Sequence, residues 1–343
     1  GRTACAQMIL SGTAAGVIGA SHVSKLSGHP NTMSLDIGGT SADVAFIRDG
    51  QPQFGIGEVI GEFPIFIPSV AVTSIGAGGG SIAWVDDLGI LRVGPESAGS
   101  KPGPACYGNG GERATITDAF VVLGYIGQFD LGYSAIEIDV NKARSAVEFL
   151  AEKIGKEAEE TAQAIVDIAV SGMYMEISKL ISRYAVDPRE YALQAFGGAG
   201  PMMACFVAKE LGMRTVIIST TPGVLSALGG LIADIKNDFI KTVFVELDGS
   251  ETTAIQDEYK LLEADALQWL RDEQAYEGDY QLIYSADMRY RGQAFEIEAI
   301  LSAKDVASGD VTAMAEAFHH EHELVYEHCD RDAAVQMVNL RLV

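Results

Sequence analysis

Residues 34–50 read SLDIGGTSADVAFIRDG, an acid set inside an apolar run and followed at once by two glycines and a threonine. The apolar residues on either side, Met33, Leu35 and Ile37 before and Val44 to Ile47 after, predict two short strands joined by a tight turn at Gly38-Gly39-Thr40. Asp49-Gly50 is a second hairpin signal. Gly38 and Gly39 can adopt backbone angles closed to other residues, and they carry no side chain to keep a ligand from their N–H groups. Such a turn cradles anions. Asp36 would face the same cleft, where a carboxylate can hold a hydrated Mg²⁺ beside a phosphate. The same residues would also serve a plain hairpin in which Asp36 bonds only to its own turn.

A second glycine cluster, FGGAGP at residues 196–201, follows the strand-like YALQAF and precedes the helix-like MMACFVAKEL. Gly212 then ends the helix, and TVIIS reads as a strand parallel to the first, which makes a βαβ unit. Pro201 suits a first helical turn. The helix N-terminus offers free N–H groups to a base or phosphate at Gly197, Gly198 and Gly200. A tight strand-to-helix turn is the plainer use, although one glycine would suffice for that. The third cluster, Gly76, Gly78, Gly79, Gly80 and Ser81, contains a G-x-G-x-x-A pattern at Gly78, Gly80 and Ala83, but a strand follows it, which argues against a dinucleotide fingerprint. The segment GPESAGSKPG at 94–103 has Ser before Lys and then Pro, so it is no P-loop.

Further helices are expected over 4–26, from 139 to about 154, over 157–184 and over 258–274. In the first of these, Gly12, Ala15 and Gly16 form a face on which another backbone can lie closely. Thr117-Asp118 is expected to cap the segment AFVVLGYIG. The Gly- and Pro-rich stretch 51–111 reads as short strands and ordered loops. Beyond residue 240 a strand, a charged helix and alternating strands predict a separate α+β domain. His319, His320, His322, His328 and Cys329 lie among glutamates without a metal-ligand spacing, so a solvated helix face is expected.

With 47 acidic against 24 basic residues the formal charge is -23, which argues against nucleic acid or an anionic membrane as partner. An anionic substrate must then be held locally, by backbone donors and a metal. Cys5, Cys106, Cys205 and Cys329 form no CxxC pair, so reduced thiols are expected. No apolar run approaches the ~20 residues of a membrane helix. The start at Gly1 and the strand-like NLRLV at the end lead us to expect a piece of a longer polypeptide.

In matching order, SGTAAGVIGA, LDIGGTSADVAFI, SIGAGGGSIAWVD, GPESAGSKPGPACYG, DPREYALQAFGGAGP, RYRGQAFEI and VNLRL resemble the hydantoinase A/5-oxoprolinase family over nearly the whole chain. The resemblance implies an α/β fold of the actin/Hsp70/sugar-kinase type, with an RNase H-like nucleotide-binding domain over 1–240 and a smaller α+β domain over 241–343. It implies ATP with Mg²⁺ or Mn²⁺, and hydrolytic opening of a cyclic amide such as a hydantoin or 5-oxoproline. An ATP-dependent carboxylase subunit and a non-catalytic nucleotide-gated scaffold are the alternatives. On this resemblance Gly38, Gly39, Thr40 and Ser41 hold the β/γ-phosphates, and Asp36 orients the metal. Asp43 braces the turn as a second catalytic candidate, while Gly197, Gly198, Gly200 and Pro201 pack against adenosine. The 76–81 loop becomes a substrate or metal loop. The family's first phosphate turn belongs to an N-terminal domain outside this stretch. Where relatives carry Asp and His ahead of GAGGGS, this chain has Ala71 and Thr73. A second subunit of the hydantoinase B type, an oligomer and a cytoplasmic location are also implied.

Overall fold

The computed structural model describes residues 11–60, 63–127, 137–184 and 186–343. Contacts divide the chain into two compact units, Gly1–Ala233 and Asp234–Val343.

In the first unit, α1 (Ser11–Leu26) leads into β1 (Thr32–Ile37), β2 (Ala42–Arg48) and β3 (Gln51–Pro52). These strands form an antiparallel meander through the two turns that the glycines predict. Asp49 and Gly50 both take positive φ, the backbone form that an Asp-Gly turn favours. Next come β4 (Phe54–Ile60), β5 (Phe63–Val70), β6 (Thr73–Ile75), β7 (Ser81–Val85) and β8 (Leu91–Ser97), then α2 (Ile116–Val122), α3 (Val140–Ile154) and α4 (Ala158–Arg183). The unit ends with β9 (Ala192–Phe196), α5 (Gly200–Leu211), β10 (Val216–Ile217) and α6 (Leu225–Ile232).

The main sheet has the order β10-β9-β1-β2-β3, with β6 also paired to β2. The β1 strand is antiparallel to β2 and parallel to β9, and β9 is parallel to β10. A three-strand meander extended by two parallel strands is the RNase H-like pattern that the resemblance implies. It sets the C-terminal ends of β1 and β9 side by side, which is where open α/β sheets bind ligands.

Strand alternation assigns the two faces. Met33, Leu35, Ile37, Val44, Phe46, Leu193 and Ala195 point into a core with residues of α2, α4 and α5. Ile165, Met173 and Ile177 are fully buried there, and truncating any one to Ala costs about 2–5 kcal/mol. The other face carries Ala45, Ile47 and Phe196, packed against Val17 and Ala20 of α1 and Leu225 of α6. Asp36 and Asp43 belong to that second face, opposite one another in register.

The close approach expected of the first helix is real at Ala15 and Gly16, where a Cβ on Gly16 would lie 3.0 Å from Phe196 and Ser226, and it extends one turn further to Gly19. A Cβ on Gly229 would overlap the Ala15 carbonyl, and one on Gly19 would lie 2.7 Å from the Leu225 carbonyl oxygen. Gly12 faces open space instead. The cap of α2 is Thr115, with Asp118 at N3 completing a capping box. The Asp118 carboxylate also accepts from the N–H groups of Ala105 and Cys106, so it ties the 105–106 segment to the helix rather than acting as the first cap.

The second unit is an antiparallel sheet, β11-β14-β12-β13, built from β11 (Phe239–Glu246), β12 (Tyr284–Tyr290), β13 (Ile297–Leu301) and β14 (Val335–Leu342). Its helices are α7 (Thr252–Asp272), α8 (Ala303–Ser308) and α9 (Val311–Tyr326), and α7 starts six residues earlier than expected. The histidine cluster departs from the expected solvated face. Met314, Phe318, His319 and His322 form the buried stripe of α9. Asp330 N–H donates to the Tyr290 hydroxyl, and that hydroxyl is hydrogen-bonded to His319 Nδ1 at 2.8 Å. His322 Nδ1 donates to the His328 carbonyl at 2.6 Å, while its Nε2 meets Gln293 at 2.9 Å. Burial pushes the His319 pKa below its usual value. Satisfied hydrogen bonds let both rings serve as core. His320 and His328 are exposed, as expected.

Candidate functional site

The site grows from the end of β1. Asp36 is the last polar residue of the strand, and residues 38–41 reverse the chain into β2, with Gly38 N–H donating to the Ser41 carbonyl at 2.9 Å. Gly39 and Thr40 at the tip are exposed. Among the described residues, the N–H groups of Gly39, Thr40 and Ser41 donate to no protein acceptor. Three adjacent unspent amides at an exposed turn suit an anion with several acceptor oxygens.

The 76–81 loop lies directly on this turn. Gly79 N–H donates to the Gly38 carbonyl at 3.0 Å, and Gly80 N–H to the Gly39 carbonyl at 2.7 Å. A Cβ on Gly78 would stand 2.8 Å from Gly38 O, Gly39 C and Thr40 C at once. Gly78, Gly79, Gly80 and Ser81 are buried, and Gly76 is exposed. The Ser81 hydroxyl accepts from Gly78 N–H, and Thr117 donates twice to the Gly79 carbonyl. The donors of Gly79 and Gly80 are therefore consumed by the turn, and the loop acts on the turn's shape.

From the other side, β9 delivers Gly197, whose φ of 82° only glycine holds readily. A Cβ there would overlap Asp36 Oδ1, so glycine at 197 is what lets the β9–α5 turn close on the acid. Ala199 N–H donates to the Ile37 carbonyl at 2.9 Å, fixing the N-terminus of α5 beside the turn. Pro201 lies in the first turn of α5. Gly198 is exposed and faces open space.

The two carboxylates are neighbours across β1 and β2. Asp36 Oδ2 accepts from the Ser226 hydroxyl at 3.3 Å. Asp43 Oδ2 accepts from the Thr13 hydroxyl at 3.1 Å, and its Oδ1 accepts from Ser74. Among the described residues no Lys or Arg forms an ion pair with either acid. Burial raises the Asp36 pKa above the usual carboxylate value, with Ser226 pulling it back and the Asp43 charge pushing it further up. Two acids with oxygen donors around them and no cationic side chain match the hard-oxygen chemistry of a divalent cation.

Residues 2–239 match the hydantoinase/oxoprolinase family. The chain belongs to that family. It is 33% identical to an uncharacterized protein of Methanocaldococcus jannaschii, over 98% of this chain and 50% of that protein. It is 34% identical to the caprolactamase subunit alpha of Pseudomonas jessenii, over 91% of this chain and 46% of the relative. Among solved structures, nucleotide-free acetone carboxylase superposes with a TM-score of 0.81 at 25% identity, covering 96% of this chain and 48% of the other. The chain spans about half the length of the curated relatives it matches.

Within this family member, the sequence-derived residues of β1–β2, the 76–81 loop and the β9–α5 turn all meet in one place. Sequence reasoning missed Thr13, Ser74 and Ser226, which bond to the two acids. Thr13 sits in a stretch read only for its small residues, and Ser226 lies in an apolar helix with no motif around it. Thr73 pairs with Val44 and sets Ser74 opposite Asp43, so a short hydroxyl reaches that acid from β6. Among the described residues no helix is long and apolar enough to cross a membrane, and no cluster of three or more His, Cys, Asp or Glu side chains forms a metal cage.

Proposed function

We propose that this chain is the ATP-binding part of an enzyme that opens a cyclic amide by hydrolysis. The observation that carries the proposal is the exposed turn at Gly39–Ser41, with its free amides, beside the Asp36/Asp43 pair and the N-terminus of α5. The Gly39, Thr40 and Ser41 amides hold phosphate oxygens, and exposed Gly198 leaves room for adenosine, whereas buried Gly200 seats the start of α5 against the backbone of β1 and β9. The residues present also fit Mg²⁺ or Mn²⁺, because two acids without a cationic partner need a countercharge. Asp36 and Asp43 would hold the ion directly or through its waters. When bound, ATP supplies a phosphoryl group to the amide carbonyl oxygen, which opens the carbonyl carbon to water so that the ring C–N bond breaks and ADP and phosphate leave. Ser226 and Thr13 orient the acids, and the 76–81 loop keeps the turn rigid. Such catalysis works by positioning and charge stabilisation.

Membership of the hydantoinase/oxoprolinase family supports the amide substrate. A second subunit of the hydantoinase B type completes the enzyme in this proposal, as part of a larger oligomer. The test is ATP-dependent opening of a lactam and hydantoin panel by the full-length protein with its second subunit. Asp36→Asn should lower the rate by at least about tenfold, the size of one lost charge-stabilising contact, and wild-type turnover would refute the assignment. The likeness to acetone carboxylase supports a second reading, a carboxylase subunit. Bicarbonate-dependent ATP turnover would favour it. ATP binding without hydrolysis, with every subunit present, would favour a gating scaffold instead.

A further inference from the structure

A second concave site lies in the first unit and shares no residue with the Gly38–Ser41 turn. One face of α3 lines an open cavity of about 830 Å³, within the usual range for small ligands. Trp84 of β7 and the glycine-rich segment 108–114 form the opposite wall. Buried Ala146 and Leu150 make an apolar floor, and Lys142, Phe149 and Lys153 stand exposed along the α3 rim. The ammonium of Lys153 lies 4.2 Å from the centre of the Phe149 ring, which is 60% exposed.

The charge around this cavity inverts that of the chain. Overall, acids outnumber bases 47 to 24, yet the lining holds Arg113, Lys142 and Lys153 against Glu112 alone. Arg113 is engaged by Glu96 at 2.7 Å. Among the described residues, Lys142 has only a 3.9 Å contact with Asp139, and Lys153 has no ion pair. In so acidic a protein the summed field repels anions, so an anion can settle only where cations and low-dielectric walls coincide. Exposed Trp84 and Phe149 add flat apolar surface for the body of such a molecule.

We propose that this cavity binds a small organic anion, a carboxylate or phosphate on an apolar body, drawn by Lys142 and Lys153 and seated against Phe149 and Trp84. Residues 1–343 hold two tryptophans, so Trp269→Phe, with any tryptophan outside this stretch of the full-length protein also replaced by Phe, leaves Trp84 as a local reporter. In that background benzoate, phenyl phosphate and neutral benzamide are titrated against tryptophan fluorescence. The expected result is saturable quenching by at least one anion, with benzamide at least about tenfold weaker. Benzoate against phenyl phosphate identifies the preferred charged group. Lys142→Glu and Lys153→Glu should each weaken the anion about threefold and together about tenfold, as for partly exposed charge contacts. Both lysines are exposed and make only weak surface contacts, so the urea midpoint should move by less than about 0.5 M. Equal quenching by benzamide, undiminished binding in the double variant, or no saturable quenching by either anion would overturn the proposal.

Discussion

Replacing Gly78 with alanine tests whether the 76–81 loop shapes the phosphate-type turn. Gly78 is not held at positive φ, so alanine is conformationally allowed and the effect is purely one of space. The new methyl would sit 2.8 Å from three backbone atoms of Gly38, Gly39 and Thr40, closer than carbon atoms pack. Either the turn moves, or the loop retreats and gives up the Gly79 and Gly80 hydrogen bonds. Overpacking costs about 1–3 kcal/mol, and the two bonds contribute about 1 kcal/mol each. Both routes therefore destabilise by about 2 kcal/mol. With a urea m-value of about 2 kcal/mol/M, the unfolding midpoint should fall by about 1 M. The two units need not unfold together. The assay therefore follows Trp84, just beyond the loop in β7, in the same background in which it is the single tryptophan. Gly76→Ala is the control, since its methyl meets nothing within 4 Å, and it should match its parent or gain up to about 1 kcal/mol. A Gly78→Ala midpoint within about 0.2 M of its parent would refute the seating of the loop on the turn.

Two further outcomes follow from the same geometry. Asp36 has a folded-state pKa above its ordinary 3.8, first through burial, so it binds its proton more tightly folded than unfolded. Its favourable contribution is complete below 3.8 and is lost as pH rises through the folded value. Asp36→Asn escapes that loss. Its urea midpoint relative to wild type should rise between about pH 3.5 and 7 without divalent cation, and a difference independent of pH would contradict the raised pKa. Gly198→Val places a side chain in open space; stability should hold while ATP affinity drops at least about tenfold, and unchanged affinity measured by calorimetry would remove adenosine from that turn.

The path of β1 to β3 was legible because Asp-x-Gly-Gly-Thr and Asp-Gly mark two turns between strands of period two. The β9–α5–β10 unit was equally legible, as glycines bracket both ends of its helix. What the sequence hid depends on contacts between distant segments. Gly19 and Gly229 are ordinary helix glycines until α1 and α6 meet. Thr13 and Ser226 gain their roles only because those helices cover the face that carries Asp36 and Asp43. The histidines of α9 looked solvated beside their glutamates, yet Tyr290 and Gln293, about thirty positions away, supply the partners that allow burial. Within the 76–81 loop, no pattern of residues tells a glycine whose N–H meets a ligand from one whose N–H holds another turn.

The most direct measurement of the central claim is calorimetric titration of ATP into the full-length protein, with and without Mg²⁺, for wild type and Asp36→Asn. If Asp36 and the Gly39–Ser41 amides share one metal–phosphate site, Mg²⁺ should strengthen ATP binding to wild type, while Asp36→Asn binds equally with or without the ion. An equal gain from Mg²⁺ in both proteins would contradict the account.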